Sequence, residues 1–236
     1  HADSFNALLV LIVKDLFLSL LVFKLLLEVC IQLFMVTLIS RRFKIHFLYG
    51  LPSFLQSFLN IQSNDFLEGS NMMVLGHFDF ASIVELIDQN AFNEEEKMAA
   101  YRHAVNTIDD SVEQLIHIIT QNKKIPIVIG GGHNNAYPCI KGASKGFYKA
   151  GVIPIAQINA INLDAHADFR PMEGRHSGNG FSYAEEDGYL EKYCVIGLHE
   201  NYIPQNVWMD MVNNPFIDCI TYLIFKISLL FFKLFN

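Results

Sequence analysis

The sequence predicts an α/β fold in which helices cover both faces of a mainly parallel sheet. Two short, apolar, β-branched runs indicate buried strands: residues 125–129 (IPIVI) end at three glycines, and residues 158–163 (INAINL) end at an aspartate. A third run, 193–197 (YCVIG), has the same character. Because helices are predicted before and between these strands, the alternation implies right-handed crossovers and parallel pairing.

The predicted elements begin with a strand over residues 74–80. A long helix then starts at Asn93, whose side chain can cap it, and three glutamates follow at the positive end of the helix dipole. Apolar residues recur at spacings of three and four as far as residue 122, which predicts one buried helix face. This face comprises Met98, Tyr101, Val105, Ile108, Val112, Leu115 and Ile119. A shorter helix is predicted over residues 137–150.

Composition and charge exclude several classes of protein. The 236 residues carry a net charge of −7 and are 52% hydrophobic, which excludes a mainly disordered chain and argues against a nucleic-acid partner. The four cysteines are far apart and form no CxxC pair, so neither a disulfide framework nor a cysteine-rich zinc site is expected. A reducing, cytoplasmic location is therefore predicted.

The apolar residues are concentrated at the two ends of the chain. We divide it into a Leu/Phe-rich segment (1–65) outside the core, an α/β core (66–222) and a hydrophobic tail (223–236). The longest strongly apolar, charge-free piece, 29–40, has 12 residues, whereas a spanning helix needs about 20. We favour ends that are not native to the fold. Membrane association through residues 7–40 and ordinary buried helices are the alternatives.

The run 164–168 (DAHAD), directly after the second predicted strand, carries the strongest chemical signal. Alternate side chains of an extended chain point to the same side, so Asp164, His166 and Asp168 would converge. Carboxylates and a neutral imidazole suit a divalent cation such as Mn²⁺. Without a cation, carboxylates packed so closely would force one of them to take up a proton. An exposed acidic turn is the alternative interpretation.

A second polar cluster, 130–135 (GGGHNN), follows the first predicted strand. Ligands bind beyond the carboxyl ends of parallel strands, so we expect His133 near the run 164–168. The glycines let the backbone turn sharply, and His133 then begins a helix. Taken alone, this cluster could be a phosphate-binding loop or a tight turn, although it has neither the GxGxxG spacing nor the lysine of a P-loop.

The polar loop 170–180 (RPMEGRHSGNG) comes next and is placed to close over a small polar substrate. Arg170 or Arg175 is a candidate for a bidentate pair with a substrate carboxylate. A solvated loop is the alternative. His199, after the third strand, is a weaker candidate for lining the site. His117, among apolar neighbours on the long helix, is expected to be a packed residue.

These motifs together resemble the ureohydrolase family, which includes arginase, agmatinase and formimidoylglutamase. GGGH follows one strand, DAHAD follows the next, and SGN stands at 177–179. The stretch 162–184 (NLDAHADFRPMEGRHSGNGFSYA) most resembles the formimidoylglutamase branch. The resemblance covers about residues 70–222 and implies a three-layer α/β/α, arginase-like fold that is incomplete at its C-terminal side.

The resemblance also implies a centre of two Mn²⁺ ions. By position, His133 and Asp168 would bind one ion, His166 the other, and Asp164 would bridge them. Such a pair of ions activates the water that attacks an amidine or guanidine carbon.

The resemblance also implies a substrate and the residues that contact it. Ser177 and Asn179 match the family's substrate loop, and Arg170 is the candidate for a carboxylate of an amino-acid substrate. The implied reaction converts N-formimidoyl-L-glutamate and water into glutamate and formamide.

Two departures from the family pattern refine this prediction. Arginases carry a histidine two residues after the SGN asparagine; here Phe181 takes that place, which favours the formimidoylglutamase-like branch. The family also supplies two metal-binding aspartates from a later SxDxDxxDP strand, but no DxD follows Asp168 in this sequence. We therefore expect weak binding of Mn²⁺, or binding of one ion, and little or no hydrolase activity.

Two other functions stay open at this point. One is an agmatinase-like or guanidino-acid ureohydrolase, and the other is an inactive relative, tethered to a membrane by its ends. The expected partner is a small amidine or guanidine, and the sequence is compatible with a homo-oligomer.

Overall fold

A computed structural model describes residues 8–13, 54–65 and 68–224, with the backbone alone for 8–13. The chain divides into two compact units. The first comprises residues 1–90 and 122–132, and the second comprises residues 91–121 and 133–236.

The described part of the first unit contains an antiparallel sheet, helical residues at 54–59 and a longer helix. The strands β1 (Leu8–Val13), β2 (Met72–Phe78) and β3 (Ile125–Ile129) pair in the order β2-β1-β3. Helix α1 spans Ala81–Asn90.

Strand β3 lies where the sequence predicts a strand, but it differs from the expected parallel strand with two buried faces. It pairs antiparallel with β1, and all five of its residues are half-buried. The physical reason is that an apolar, β-branched run indicates a strand without specifying its partner, which here comes from far along the chain. Strand β1 lies in the segment 1–65, which the sequence pattern places outside the core. The boundary of the core at residue 65 therefore stays a prediction.

The second unit begins with helix α2 (Glu94–Gln121), as the sequence predicts. The side chain of Asn93 accepts a hydrogen bond from the amide of Glu96 at 2.8 Å, which caps the first turn. The buried face of α2 differs from the predicted face in several residues, and two of its residues are polar. The buried residues are Ala104, Val105, Ile108, Asp109, Val112, Ile116, Ile119 and Thr120.

Helix α3 (Ala136–Lys149) packs closely against α2. The two backbones approach because α3 carries glycine at the contact: a Cβ atom added to Gly142 would lie 2.6 Å from the carbonyl oxygen of Glu113. The Glu113 carboxylate also pairs with the ammonium groups of Lys141 at 3.1 Å and Lys145 at 2.5 Å.

A parallel sheet completes the second unit. Its strands, β4 (Ile158–Leu163), β5 (Leu190–Leu198) and β6 (Ile217–Thr221), pair in the order β4-β5-β6. Helix α4 (Gly180–Glu186) lies in the β4–β5 connection and α5 (Gln205–Asn213) in the β5–β6 connection. The core of this sheet and its helices consists of Tyr137, Ile140, Ala167, Phe181, Ala184, Leu190, Tyr193, Val195, Leu198, Val207, Met211 and Ile217. The run 164–168 therefore leaves the carboxyl end of β4.

Within the described residues, no helix combines the length and apolar character needed to cross a membrane. Most of the segment 7–40, on which the membrane alternative depends, lies outside the described residues, as does the tail from residue 225 onwards. The proposed domain ends at 65 and 223 remain untested.

Candidate metal centre

Three of the predicted ligands meet in the second unit. The Nδ1 atom of His133 lies 3.3 Å from Oδ2 of Asp164 and contacts Oδ2 of Asp168. One ligand atom from each of these residues lies within 4.8 Å of the other two. The imidazole and the two carboxylates are therefore close enough to hold one cation between them.

His166, the fourth predicted ligand, lies beside this cluster and not within it. Its Nδ1 atom is 3.4 Å from Oδ1 of Asp164, and its backbone amide donates a hydrogen bond to the same oxygen at 2.9 Å. Its side chain is 60% exposed, and its ring stacks on that of Tyr202 at 5.3 Å between centroids. Asp164 consequently presents one oxygen to His133 and the other to His166.

The segment 164–168 is bent, and simple strand alternation does not describe it. Asp168 has a φ of +46°, in the left-handed region that non-glycine residues rarely occupy. Neighbouring elements hold this conformation: the hydroxyl of Tyr193 donates to the carbonyl of Ala167 at 2.8 Å, and the amide of Phe181 donates to that of Asp168 at 3.4 Å. Strain of this kind is typical of ligand sites, where surrounding contacts over-determine the backbone.

A short 3₁₀ turn, 133–135, presents His133 and leads directly into α3. The start of α4 approaches this turn closely, since a Cβ atom added to Gly180 would lie 3.4 Å from the carbonyl oxygen of His133. The imidazole also meets the ring of Phe181 edge-on at 5.6 Å. The side-chain direction of His133 is thus set by α3 and α4 together.

The electrostatics of the cluster agree with a cation site. Hydrogen bonds to Asp164 and Asp168 raise the pKa of His133 to about 9, despite the burial that lowers it. Burial raises the pKa of Asp164, but its hydrogen bonds with His133 and the His166 amide outweigh this and hold its pKa below the ordinary value. A proton on His133 thus supplies the positive charge that the two carboxylates require, and a divalent cation would replace that proton.

The loop 170–180 carries the predicted substrate contacts. Arg170 is exposed, and its guanidinium pairs with the carboxylate of Glu173 at 2.7 Å. Its amide donates to the carbonyl of Gly178 at 3.0 Å. Ser177 is half-buried and opens the 3₁₀ turn 177–179.

Asn179 is completely buried, and its side-chain amide is hydrogen-bonded to other groups of the protein. Its Oδ1 accepts from Nη1 of Arg175 at 2.9 Å and from the amide of His176 at 3.1 Å. Its Nδ2 donates to the carbonyls of Gly174 at 2.8 Å and Pro171 at 3.3 Å. These bonds shape the loop from within, which differs from the direct substrate contact that the sequence suggests.

Arg175, the other candidate for a substrate carboxylate, is also buried. Its guanidinium pairs with Asp109 on α2 at 2.8 Å. Sequence reasoning missed this partner, although one signal was present: an acidic residue stands on the apolar face of α2 next to Ile108. A buried acid of this kind requires a nearby cation.

A stack of aromatic rings lies beside the cluster, and the sequence did not predict it. The ring of Tyr202 lies between those of His166, at 5.3 Å, and His199, at 4.5 Å, and Tyr222 stacks on His199 at 5.5 Å. His199 follows β5 directly, as expected of a residue near the site.

Residues 61–218 match the family model described as the arginase family. The chain belongs to the arginase family. This membership confirms the predicted α/β, arginase-like fold class, whose parallel sheet lies in the second unit.

Curated relatives of this arginase-family chain include two formimidoylglutamases. The one from Macrococcus caseolyticus (strain JCSC5402) is 34% identical over 96 residues, which cover 41% of this chain and 29% of the relative. The one from Streptococcus pyogenes serotype M49 (strain NZ131) is 31% identical over 104 residues, which cover 42% of this chain and 30% of the relative. The matched region thus spans less than a third of these relatives.

Similar solved structures include two proteins with related names. Formimidoylglutamase from Bacillus subtilis aligns with 19% identity and a TM-score of 0.42, over 50% of this chain and 36% of that protein. Formiminoglutamase from Trypanosoma cruzi, solved with Mn²⁺, aligns with 19% identity and a TM-score of 0.42, over 58% of this chain and 41% of that protein.

Proposed function

We propose that this chain carries part of the active site of a metal-dependent hydrolase that cleaves C–N bonds in linear amidines. The reaction we assign is that of a formimidoylglutamase: N-formimidoyl-L-glutamate and water give glutamate and formamide. Support comes from the family membership and from the names of the curated relatives. The single observation that carries the proposal is the convergence of His133, Asp164 and Asp168.

The donor set fits Mn²⁺. Two carboxylates and an imidazole are ligands that this ion accepts, and they lie at a separation that one ion spans. His133 must lose its proton to coordinate, so binding of the cation and of the proton compete. When bound, such a cation would lower the pKa of a water molecule and orient it toward the amidine carbon.

The protein's own residues supply orientation and charge. Asp164 presents its second oxygen to His166, which supports a bridging position for this carboxylate. Arg170 is exposed and is our candidate for binding a substrate carboxylate, with Ser177 as a further candidate on the same loop. We assign Asn179 the task of shaping that loop, because its amide is buried and fully bonded.

The ligand count sets the expected strength of binding. His133, Asp164, His166 and Asp168 are four of the six protein ligands that the family resemblance implies. We therefore propose that this chain binds one Mn²⁺ ion through His133, Asp164 and Asp168, and that the site beside His166 stays weak. Hydrolysis by this chain alone is expected to be slow or absent.

Titration of the purified chain with Mn²⁺, followed by the electron paramagnetic resonance signal of the free ion, tests the proposal. We expect a stoichiometry near one and loss of binding in His133→Ala. Incubation with N-formimidoyl-L-glutamate, with formamide and urea measured separately, tests the reaction. No binding of Mn²⁺ would contradict the metal centre, and urea from a guanidino compound would contradict the assigned substrate class. Two tightly bound ions with rapid turnover would contradict the proposal that the second metal site is weak and that hydrolysis is slow.

A further inference from the structure

The guanidinium of Arg175 connects three parts of the second unit. Its Nε donates to Oδ2 of Asp109 on α2 at 2.8 Å. Its Nη1 donates to Asn179 in the turn 177–179 at 2.9 Å, and its Nη2 donates to the carbonyl of Asn134 in the turn 133–135 at 2.8 Å. The side chains of Arg175 and Asp109 are 2% and 6% exposed, so the pair is shielded from water.

Both of these turns adjoin the metal ligands. Asn134 directly follows His133. The turn 177–179 is joined to the segment after Asp168, because the carbonyl of Gly178 accepts from the amide of Arg170 at 3.0 Å. The Arg175 side chain therefore holds together the two stretches of chain from which His133 and Asp168 project.

We propose that Asp109 is a positioning residue for the metal centre, which acts by holding Arg175 between the turns 133–135 and 177–179. The part of this inference that concerns metal binding rests on the proposed function. Among the described contacts, Asp109 bonds to none of the proposed cation ligands, and its effect passes through the guanidinium of Arg175.

The charge of Asp109 is what keeps Arg175 in place. A guanidinium removed from water requires a paired anion, and an unpaired one would turn toward solvent. Its bonds to Asn134 and Asn179 would then be lost. Burial raises the pKa of Asp109 to about 6, against the opposing effect of Arg175, so the carboxylate is ionised at neutral pH.

The rings beside Arg175 favour the same position. The guanidinium carbon lies 4.7 Å from the ring centre of Tyr137 and 4.9 Å from that of Tyr183. These rings attract the cation but offer it no hydrogen-bond acceptor in place of a carboxylate. They keep the guanidinium in a limited space, and Asp109 fixes its orientation.

The variant Asp109→Asn tests the inference, with Glu113→Gln as the matched control. Glu113 lies one turn further along α2 and also forms ion pairs, but with Lys141 and Lys145 of α3 and not with Arg175. Hydrogen exchange of the apo chain is measured at the amides of His176 and Gly178, whose acceptors are Asn179 and His176. We expect exchange to be faster by roughly tenfold in Asp109→Asn and unchanged in the control.

Mn²⁺ affinity is the second measurement on the same proteins. We expect it to fall by about tenfold or more in Asp109→Asn, as when a group that orients a ligand is removed, and to stay at the wild-type level in Glu113→Gln. If both variants change equally in exchange and affinity, general destabilisation explains the data and the inference is overturned. It is overturned equally if Asp109→Asn behaves like the wild type.

A double variant, Asp109→Leu with Arg175→Met, separates positioning from stability. Replacing a buried ion pair by apolar residues removes the unpaired charge, so the double variant recovers stability relative to Asp109→Asn. Positioning requires the exchange at His176 and Gly178 to stay fast, since Asn134 and Asn179 still lack the guanidinium. Wild-type exchange in the double variant would overturn the inference. If the wild type binds no Mn²⁺, the proposed function fails, and the exchange data alone decide the role of Asp109.

Discussion

The hydroxyl of Tyr193 donates a hydrogen bond of 2.8 Å to the carbonyl of Ala167, between the candidate metal ligands His166 and Asp168. Tyr193 lies on β5 and is almost completely buried. Its hydroxyl also accepts a hydrogen bond from the side-chain Nδ2 of Asn162 on β4 at 3.1 Å. One phenol thus joins two strands of the parallel sheet to the strained segment that carries Asp168.

Replacing Tyr193 by Phe should loosen this segment while preserving the packing. The ring stack with Phe181, at 4.2 Å, is kept, but the carbonyl of Ala167 loses its donor. Because a buried carbonyl is left unsatisfied, we expect the free energy of unfolding in urea to fall by about 1–2 kcal/mol. We also expect weaker binding of Mn²⁺, since Asp168 is no longer held in its left-handed conformation.

Tyr148→Phe is the control, because Tyr148 is an exposed tyrosine on α3. It should change neither unfolding nor affinity for Mn²⁺. Equal behaviour of the two variants would show that the hydrogen bond to Ala167 does not hold the segment.

Replacing Asp168 by Asn removes the negative charge of this side chain but keeps its size and shape. Asparagine tolerates the left-handed region in which Asp168 lies, so the fold is expected to be retained. A neutral amide is a poor ligand for Mn²⁺, and we expect the affinity to fall by at least about tenfold. Circular dichroism checks the fold and a Mn²⁺ titration checks the affinity.

Asp218→Asn, which neutralises an exposed acid on β6, controls for the loss of one negative charge. Its Mn²⁺ affinity should match that of the wild type. An Asp168→Asn chain that binds Mn²⁺ as tightly as this control would exclude Asp168 as a ligand.

The sequence predicts the main elements of the second unit and the three side chains that converge in the candidate metal centre. The helix from residue 94, the strands at 158–163 and 193–197 and the turn with His133 are found where their patterns indicate. These features depend on local signals: a cap with glutamates, β-branched runs, and polar residues directly after a strand. The side chains of His133 and Asp164 lie 3.3 Å apart, so two separate local signals in the sequence describe one cluster in the structure.

The sequence does not predict the bonds that connect distant residues. Asp109 and Arg175 are 66 positions apart, so the acid on the apolar face of α2 indicates that it needs a cation but not which one. The exposed position of His166 was not predicted either, because strand alternation assumes an extended backbone, whereas residues 164–166 form a bend. Such features are set by tertiary contacts, which no local pattern encodes.

Replacing Glu113 by Gln should reduce the dependence of stability on pH. Burial raises the pKa of Glu113, but its bonds with Lys145 and Lys141 outweigh this and leave the pKa below the ordinary 4.5. Such a carboxylate stabilises the fold above its unfolded-state pKa, and this contribution is lost as the pH falls through the lowered folded-state pKa. The variant should therefore be less stable than the wild type at pH 7 by about 1 kcal/mol and equally stable in acid.

Urea unfolding at neutral pH and below the lowered pKa of Glu113 measures this difference. Glu186→Gln, at an exposed position on α4, is the control and should follow the wild-type pH dependence. A constant gap between Glu113→Gln and the wild type at all pH values would mean that packing, and not charge, accounts for the loss.

Replacing Gly142 by Ala should separate α2 from α3. The added methyl carbon would lie 2.6 Å from the carbonyl oxygen of Glu113 and 2.9 Å from the Cβ of Ile116, so one helix must move. Alanine is the better helix former, but overpacking costs about 1–3 kcal/mol and should dominate. We expect a lower urea midpoint, with Lys149→Ala, at an exposed position in the last turn of α3, near the wild type. A stabilised Gly142→Ala chain would refute the close helix contact.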